Sequence, residues 1–514
     1  MKKSLYTFLL IAGLVSCKKE TLNLVPLTSL SSASFYKNTA DFNQALTGAY
    51  VNLRSIAITG IYMDEMRSDN TFFTFYTADR GTGTSVEAFA TFIDNETTSQ
   101  NSNNPGNRYG NDYSGISKVN TILTRLKSSS LSQADKDQIS GEALFLRAYY
   151  YYDLVQHYGG VPLQLEEVTG VDGAFLPRSS AEEVYNQIIA DLNAAIPLLP
   201  VAKTFPQSGR ATQGAAKVLV AYAYMSKPTK DYPKAEAALL DVTKMNYGLL
   251  NNYADVFDPN QKNHKESIFD VQYKAGNDGQ QSDFIWRFIP KTSNSEAILG
   301  LRGTNARGGL SSGGWNVPTK EMVDSYEPGD LRLAASVGVA EGTVNSDVLT
   351  TTAVKSPVGY TPTPGLSYFY FIKKYLHPPF TVEYNTDDNF PVFRYSGALL
   401  LLAECLVAEG KAGEALQYLN AVRKRAGLGD RAVATKENVS DEMRHELAFE
   451  NHRWTDLIRN GQAIEKLTAK GVTLKAQNGW LLPITFNITA EKFIYAIPFR
   501  ERQINTKLTQ NPGY

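Results

Sequence analysis

Apolar residues recur every three or four positions through the first half of the chain and again in its last quarter, the spacing of helices that bury one stripe. In "ASFYKNTADFNQALTGAYVNLRS" this stripe is Phe42, Ala45, Leu46, Ala49 and Tyr50, with Thr39 as the expected cap. The period continues in "SGISKVNTILTRLKS", "ISGEALFLRAYYYYDLVQHYG" and "SAEEVYNQIIADLNAAIPLLP". Gly159, Gly160 and Pro162 should stop the second of these; Ser180 should begin the third, and Pro197 and Pro200 end it. The tyrosines at 149–152 lie on one helix, where consecutive residues point around the whole circumference, so they cannot form a single platform.

Two stretches read as helical pairs of tetratricopeptide spacing. "GALLLLAECLVAEGKAGEALQYLNAVRKRAGL" sets Leu399, Leu402, Ala403 and Leu406 on one helix and Ala415, Leu419 and Val422 on the next, with Gly410 in the turn. "GAAKVLVAYAYMSKPTKDYPKAEAALLDVTKM" matches through Ala235, Leu239 and Val242, with a turn lengthened by residues 227–232. Between these pairs, from about 251 to about 391, helical periodicity fades and Gly, Asn, Ser and Pro become frequent. Trp286, Trp315, Tyr326, Tyr368 and Tyr370 in this insert argue against disorder, and long irregular segments of compact domains are commonly functional. A second polar and aromatic stretch, "YMDEMRSDNTFFTFYTADRGTGTS", follows the first helix.

The start of the chain has its own pattern. Lys2 and Lys3 precede a short apolar run that is too brief to cross a bilayer, which needs about 20 residues. Leu14-Val15-Ser16-Cys17 resembles a bacterial lipobox: residues 1–16 read as a signal peptide, Cys17 as the lipidated first residue of the mature protein, and 17–33 as its tether. A plain secretory leader with an incidental cysteine is the competing reading. Composition then narrows the classes. With 51 basic and 52 acidic residues the net charge is -1, which gives no general attraction to nucleic acid or to an anionic membrane surface. If Cys17 is acylated, Cys405 is left without a disulfide partner, and its place in an apolar helix face makes it a core residue.

The order of several blocks resembles the SusD/RagB family of surface lipoproteins of Bacteroidota. After the lipobox come "FYKNTADFNQALTGAYVNLR", "GEALFLRAYYYYDLVQHYGGVPL", "FRYSGALLLLAECLVAEGKAGEALQYLNAVRKRAGL", "RHELAFENHRWTDLIRNG" and the closing "IPFRERQINTKLTQNPGY". The resemblance implies a mostly α fold, SusD-like: a tetratricopeptide-like scaffold of helical pairs (about 34–250 and 392–465) carrying a large irregular, loop-rich insert (about 251–391) as ligand face, all within one body from 34 to 514. It further implies lipid anchoring in the outer membrane, facing the cell surface. The implied work is capture of an oligosaccharide or polysaccharide and its delivery to a SusC-like TonB-dependent transporter, without catalysis. No cofactor follows beyond the lipid on Cys17, and the sequence leaves a structural calcium open.

Sugar rings present apolar C–H faces rimmed by hydroxyls, so a glycan site needs aromatic planes beside polar side chains. Trp315, in the Gly-rich "SSGGWNVP", is the first candidate platform, and Trp286, in "SDFIWRF", is either a platform or a strand core residue. Phe73, Phe75 and Tyr76, alternating with threonines near Asp69, Asn70 and Arg80, form either a binding loop or a half-buried strand. Arg444, Glu446, Glu450, Arg453, Trp454 and Asp456 read as scaffold, their charges paired on or between helices. Metal and nucleophile chemistry finds no motif: His445-Glu446 does not continue as His-Glu-x-x-His, and there is no Gly-x-Ser-x-Gly elbow. Two rivals stand beside glycan capture: the same architecture serving peptide uptake, and a glycoside hydrolase built from two of the many carboxylates.

Overall fold

The computed structural model describes residues 35–76, 86–99, 104–300, 313–380 and 382–514. The leader, Cys17, the tether and Arg80 lie outside the described residues. Helix α1 (Thr39–Tyr50) buries Phe42, Leu46 and Ala49, but its cap is Asn38, not Thr39: the Asn38 side chain accepts from the Asp41 amide at 3.1 Å, and Thr39 is already helical. An Asx side chain one residue earlier in the chain satisfies the free amide equally well. Helix α2 (Leu53–Gly60) follows, then α3 (Asn104–Lys127) and α4 (Gln133–Tyr158). On α4, Tyr150 and Tyr151 are fully buried while Tyr149 and Tyr152 are half-buried against neighbours. The Tyr150 hydroxyl donates to the Ala49 carbonyl at 2.6 Å, tying α4 to α1. Gly115 of α3 makes room for that ring, since a Cβ there would sit 2.5 Å from it. Gly159 ends α4 at φ +69°, a conformation open to glycine.

Helix α5 (Ala181–Ala195) opens on a full capping box of Ser180 and Glu183. The two repeat-like pairs form as expected: α6 (Gln213–Ser226) with α7 (Tyr232–Thr243), and α8 (Tyr395–Ala408) with α9 (Ala412–Arg425), Gly410 turning the second at φ +78°. Each helix from α3 to α9 packs on the next, and α7 packs directly on α8 although the insert separates them in sequence. Helices α10 (Lys436–Glu446), α11 (Arg453–Arg459) and α12 (Ala463–Gln477) complete the C-terminal part, with α10 against α8.

The insert is more regular than its composition suggests. Its two-residue strand β3 (Val317–Pro318) pairs with β1 (Thr71–Phe72), which lies outside the insert, while β2 (Ser267–Val271) near its start and β7 (Phe390–Arg394) at its end form a fully buried antiparallel ribbon. Inside it, β4 (Val337–Asn345), β5 (Val348–Lys355) and β6 (Ser367–Ile372) form a sheet in the order β5-β4-β6. Ser346 and Asp347 turn the β4–β5 hairpin with φ +48° and +68°, the left-handed pair that a two-residue hairpin needs. One core cluster runs through the helical array and the insert; a smaller one gathers Phe72, Phe73, Trp315, Trp454 and Phe486.

Candidate ligand-binding site

Pairing of β1 with β3 sets Thr71 opposite Pro318 and Phe72 opposite Val317, which brings 71–76 beside 313–318. Backbone bonds extend the contact: Thr74 N–H to Gly314 O at 2.8 Å, and Trp315 N–H to Arg287 O at 3.1 Å. The Lys470 ammonium of α12 pins the segment from below, donating to the carbonyls of Met66, Ser68 and Thr71 at 3.1, 2.5 and 2.8 Å. On this support Phe75 stacks on Trp480, ring centroids 4.5 Å apart at 21°, and both rings are half-buried, so part of the pair faces solvent. Trp315, 8% exposed, packs beneath against Phe73 and Tyr76 at 6.2 and 6.5 Å.

Polar groups stand beside the supporting residues Trp315 and Tyr76. Arg287 pairs with Asp283 at 2.7 Å, both side chains near one-third exposed, and reaches the Tyr62 hydroxyl at 3.3 Å. Lys291 holds its ammonium 5.4 Å from the Tyr76 ring centre. Aromatic surface next to a guanidinium, a carboxylate and an ammonium suits a ligand with apolar faces and many hydroxyls. Asp283 is engaged by Arg287 through two hydrogen bonds, an arrangement that orients charge for recognition.

The residues expected from sequence divide unevenly. Trp315, Phe73 and Tyr76 are brought together, but all three are buried, Trp315 included, and support the Phe75–Trp480 pair from within; none is itself an open platform. Asp69 and Asn70 are corrected more sharply. Asp69 takes two bonds from Arg453 at 2.7 and 2.9 Å, while Asn70 donates to Glu65 at 2.7 Å and accepts from Arg444 at 2.9 Å, all within the interior. Such side chains are committed to the fold. Trp286 is a core residue on the short helix Phe284–Phe288, not on a strand; it is 2% exposed, with Phe380 and Tyr384 against it at 5.3 and 5.4 Å. Sequence reasoning missed Trp480, although it stands in "AQNGWLLP", beside a glycine as Trp315 does.

The charged block 444–456 is scaffold, as expected. Arg394 at the end of β7 meets Glu450 at 2.7 Å, Glu446 at 2.9 Å and Glu266 at 3.0 Å; Arg332 meets Glu442 and Glu446 at 2.7 and 3.2 Å; Lys374 meets Glu450 at 2.7 Å. These ions are buried, and the network joins the insert to α10 and the loop after it. Cys405 is also interior: its thiol donates to the Tyr232 carbonyl at 3.1 Å, and burial pushes its pKa up to about 12, far from nucleophilic use. Among the described residues no group of three or more His, Cys, Asp or Glu side chains is placed to hold a metal ion, and no helix is long and apolar enough to cross a membrane.

Comparison with known proteins covers almost the whole chain. Residues 265–514 match the SusD family, and residues 28–227 match a family described as "starch-binding associating with outer membrane". SusD-like protein P25 of Formosa agariphila is 26% identical over 99% of this chain and 98% of its own. Among solved structures, a laminarin binding SusD-like protein superposes with a TM-score of 0.73 at 26% identity, covering 93% of this chain and 100% of its own. Surface glycan-binding protein A from Bacteroides thetaiotaomicron, in complex with laminarihexaose, superposes at 0.71 with 21% identity, over 92% of this chain and 99% of its own, a likeness of fold.

Proposed function

Because the chain belongs to the SusD family, we propose that it captures an oligosaccharide or polysaccharide at the outer membrane and passes it, uncleaved, to a SusC-like TonB-dependent transporter. The observation that carries the reading is the half-buried Phe75–Trp480 stack over Phe73, with Lys291 beside the neighbouring Tyr76 ring and the Arg287–Asp283 pair joined through the Arg287 backbone to Trp315. Rings fixed in place bind with little loss of side-chain freedom, which favours a ligand that stacks. The similarity to a laminarin binding protein supports a glycan ligand, and the family description adds starch as a second probe. Attachment rests on the lipid of Cys17, so the body reaches outward while the transporter stays within range.

The test is electrophoresis of the full chain in detergent through gels containing laminarin or starch, with released reducing sugar measured in parallel. Retention without release is the expected outcome. Trp480→Ala should weaken retention by roughly two- to tenfold while circular dichroism stays unchanged, about the worth of one stacking contact of 0.5–1.5 kcal/mol. Sugar release would make the protein a hydrolase. No retention, with binding of peptides instead, would overturn glycan capture.

A further inference from the structure

The β4–β6 sheet and the short helices Lys320–Asp324 and Leu331–Ser336 enclose a cleft of about 650 Å³, a volume within the usual range for ligand pockets. Tyr368 and Tyr370 stand two residues apart on the edge strand β6 and therefore on one face of the sheet. Tyr360 continues the row: centroids are 5.3 Å apart from Tyr360 to Tyr368 and 5.6 Å from Tyr368 to Tyr370. All three are half-buried, and across from them Leu331 is 62% exposed. Lys320 and Asp324 at the rim form an exposed ion pair.

The wall is built before any ligand arrives. Glu341, 1% exposed, pairs with the Lys355 ammonium at 2.5 Å and accepts from the Thr363 amide at 2.9 Å, which fixes both ends of the loop carrying Tyr360. The Tyr360 hydroxyl is closed off from solvent, so this half-buried residue offers the cleft its ring. The cleft is also close to the first site. From Trp315 to Lys320 the chain runs five residues through β3, at most ~18 Å even if fully extended.

We infer that this tyrosine-lined cleft is a second glycan subsite, which holds a further stretch of the polysaccharide bound at the Phe75–Trp480 face. The inference rests on the capture reading above. Two subsites on one rigid body bind a polymer more tightly than either alone, since the second event is intramolecular.

The experiment is calorimetric titration of the full chain in detergent with laminarihexaose, together with retention in laminarin gels. Leu331→Trp fills the cleft from an exposed position where folding is not at stake, and Tyr360→Ala removes one ring. The wild-type chain should bind two equivalents; Leu331→Trp should bind one and lose about tenfold in laminarin retention, as loss of avidity requires. If Leu331→Trp and Tyr360→Ala both keep wild-type stoichiometry and retention while Trp480→Ala weakens them, the subsite is overturned and capture stands. If the wild-type chain binds neither probe, the capture reading fails and the subsite falls with it.

Discussion

Asp69 and Asp153 are buried carboxyls that stay charged because arginines lie against them. Burial alone would raise each pKa, but Arg444 and Arg453 hold Asp69 well below the usual carboxylate range, and Arg108, at 2.7 Å, with His157 holds Asp153 at about 2. In the unfolded chain both ionise near 3.9. Their contribution to stability is therefore complete above about pH 4 and disappears as pH falls through the folded-state values. Glu65 has the opposite sign: burial lifts it to about 7 despite donors from Asn70, Phe449 and Asn451, so its contribution is complete below about pH 4 and is lost as pH rises through 7. The urea midpoint should accordingly peak on the acid side of neutrality and fall steeply below pH 4. Asp69→Asn should make the acid limb shallower, and an unchanged limb would remove Asp69 from its cause. Residue environment also explains what the sequence could not reveal. Trp315 and Trp480 both follow a glycine, yet only packing from distant parts of the chain distinguishes the buried ring from the half-buried one.

At the scale of elements, the helices were legible because a buried stripe must repeat at the helical period, and their caps and stops are local chemistry. The shift from Thr39 to Asn38 at the first cap shows the resolution of such reasoning, about one residue. The β4–β5 hairpin escaped notice because Ser346-Asp347 lacks the Asn-Gly or Asp-Gly signal of such turns, although its strands are rich in Val and Thr. The ribbon of β2 and β7 escaped for a different reason: its strands lie about 120 residues apart in sequence and are buried on both faces, so neither alternates. Arg394, at the end of this ribbon, is the element-scale weak point. Arg394→Met would leave Glu266, Glu446 and Glu450 partly uncompensated in the interior and should cost about 3–5 kcal/mol, measured by chemical denaturation. A cost under 1 kcal/mol would mean that Arg332, Arg425 and Lys374 suffice.

For the whole molecule, the helical array supplies a stiff frame and the insert supplies surface. The placement of the candidate site was not readable in the sequence, because β1, β3 and Trp480 assemble it from three regions widely separated along the chain. The clamp between insert and frame has a practical meaning for protein engineering. Sugar-binding modules are often wanted as detachable parts, and residues 251–391 would be the natural piece to cut out. That piece would leave with Glu266, Arg332 and Lys374 but without Arg394, Arg425, Glu442, Glu446 and Glu450, the charges that neutralise them. Expressed alone it should show no cooperative melting transition by circular dichroism; a sharp transition would prove it transferable. New specificities are therefore better grown in place, by recasting the loop 356–366 on the intact chain, than by carrying the insert to another host.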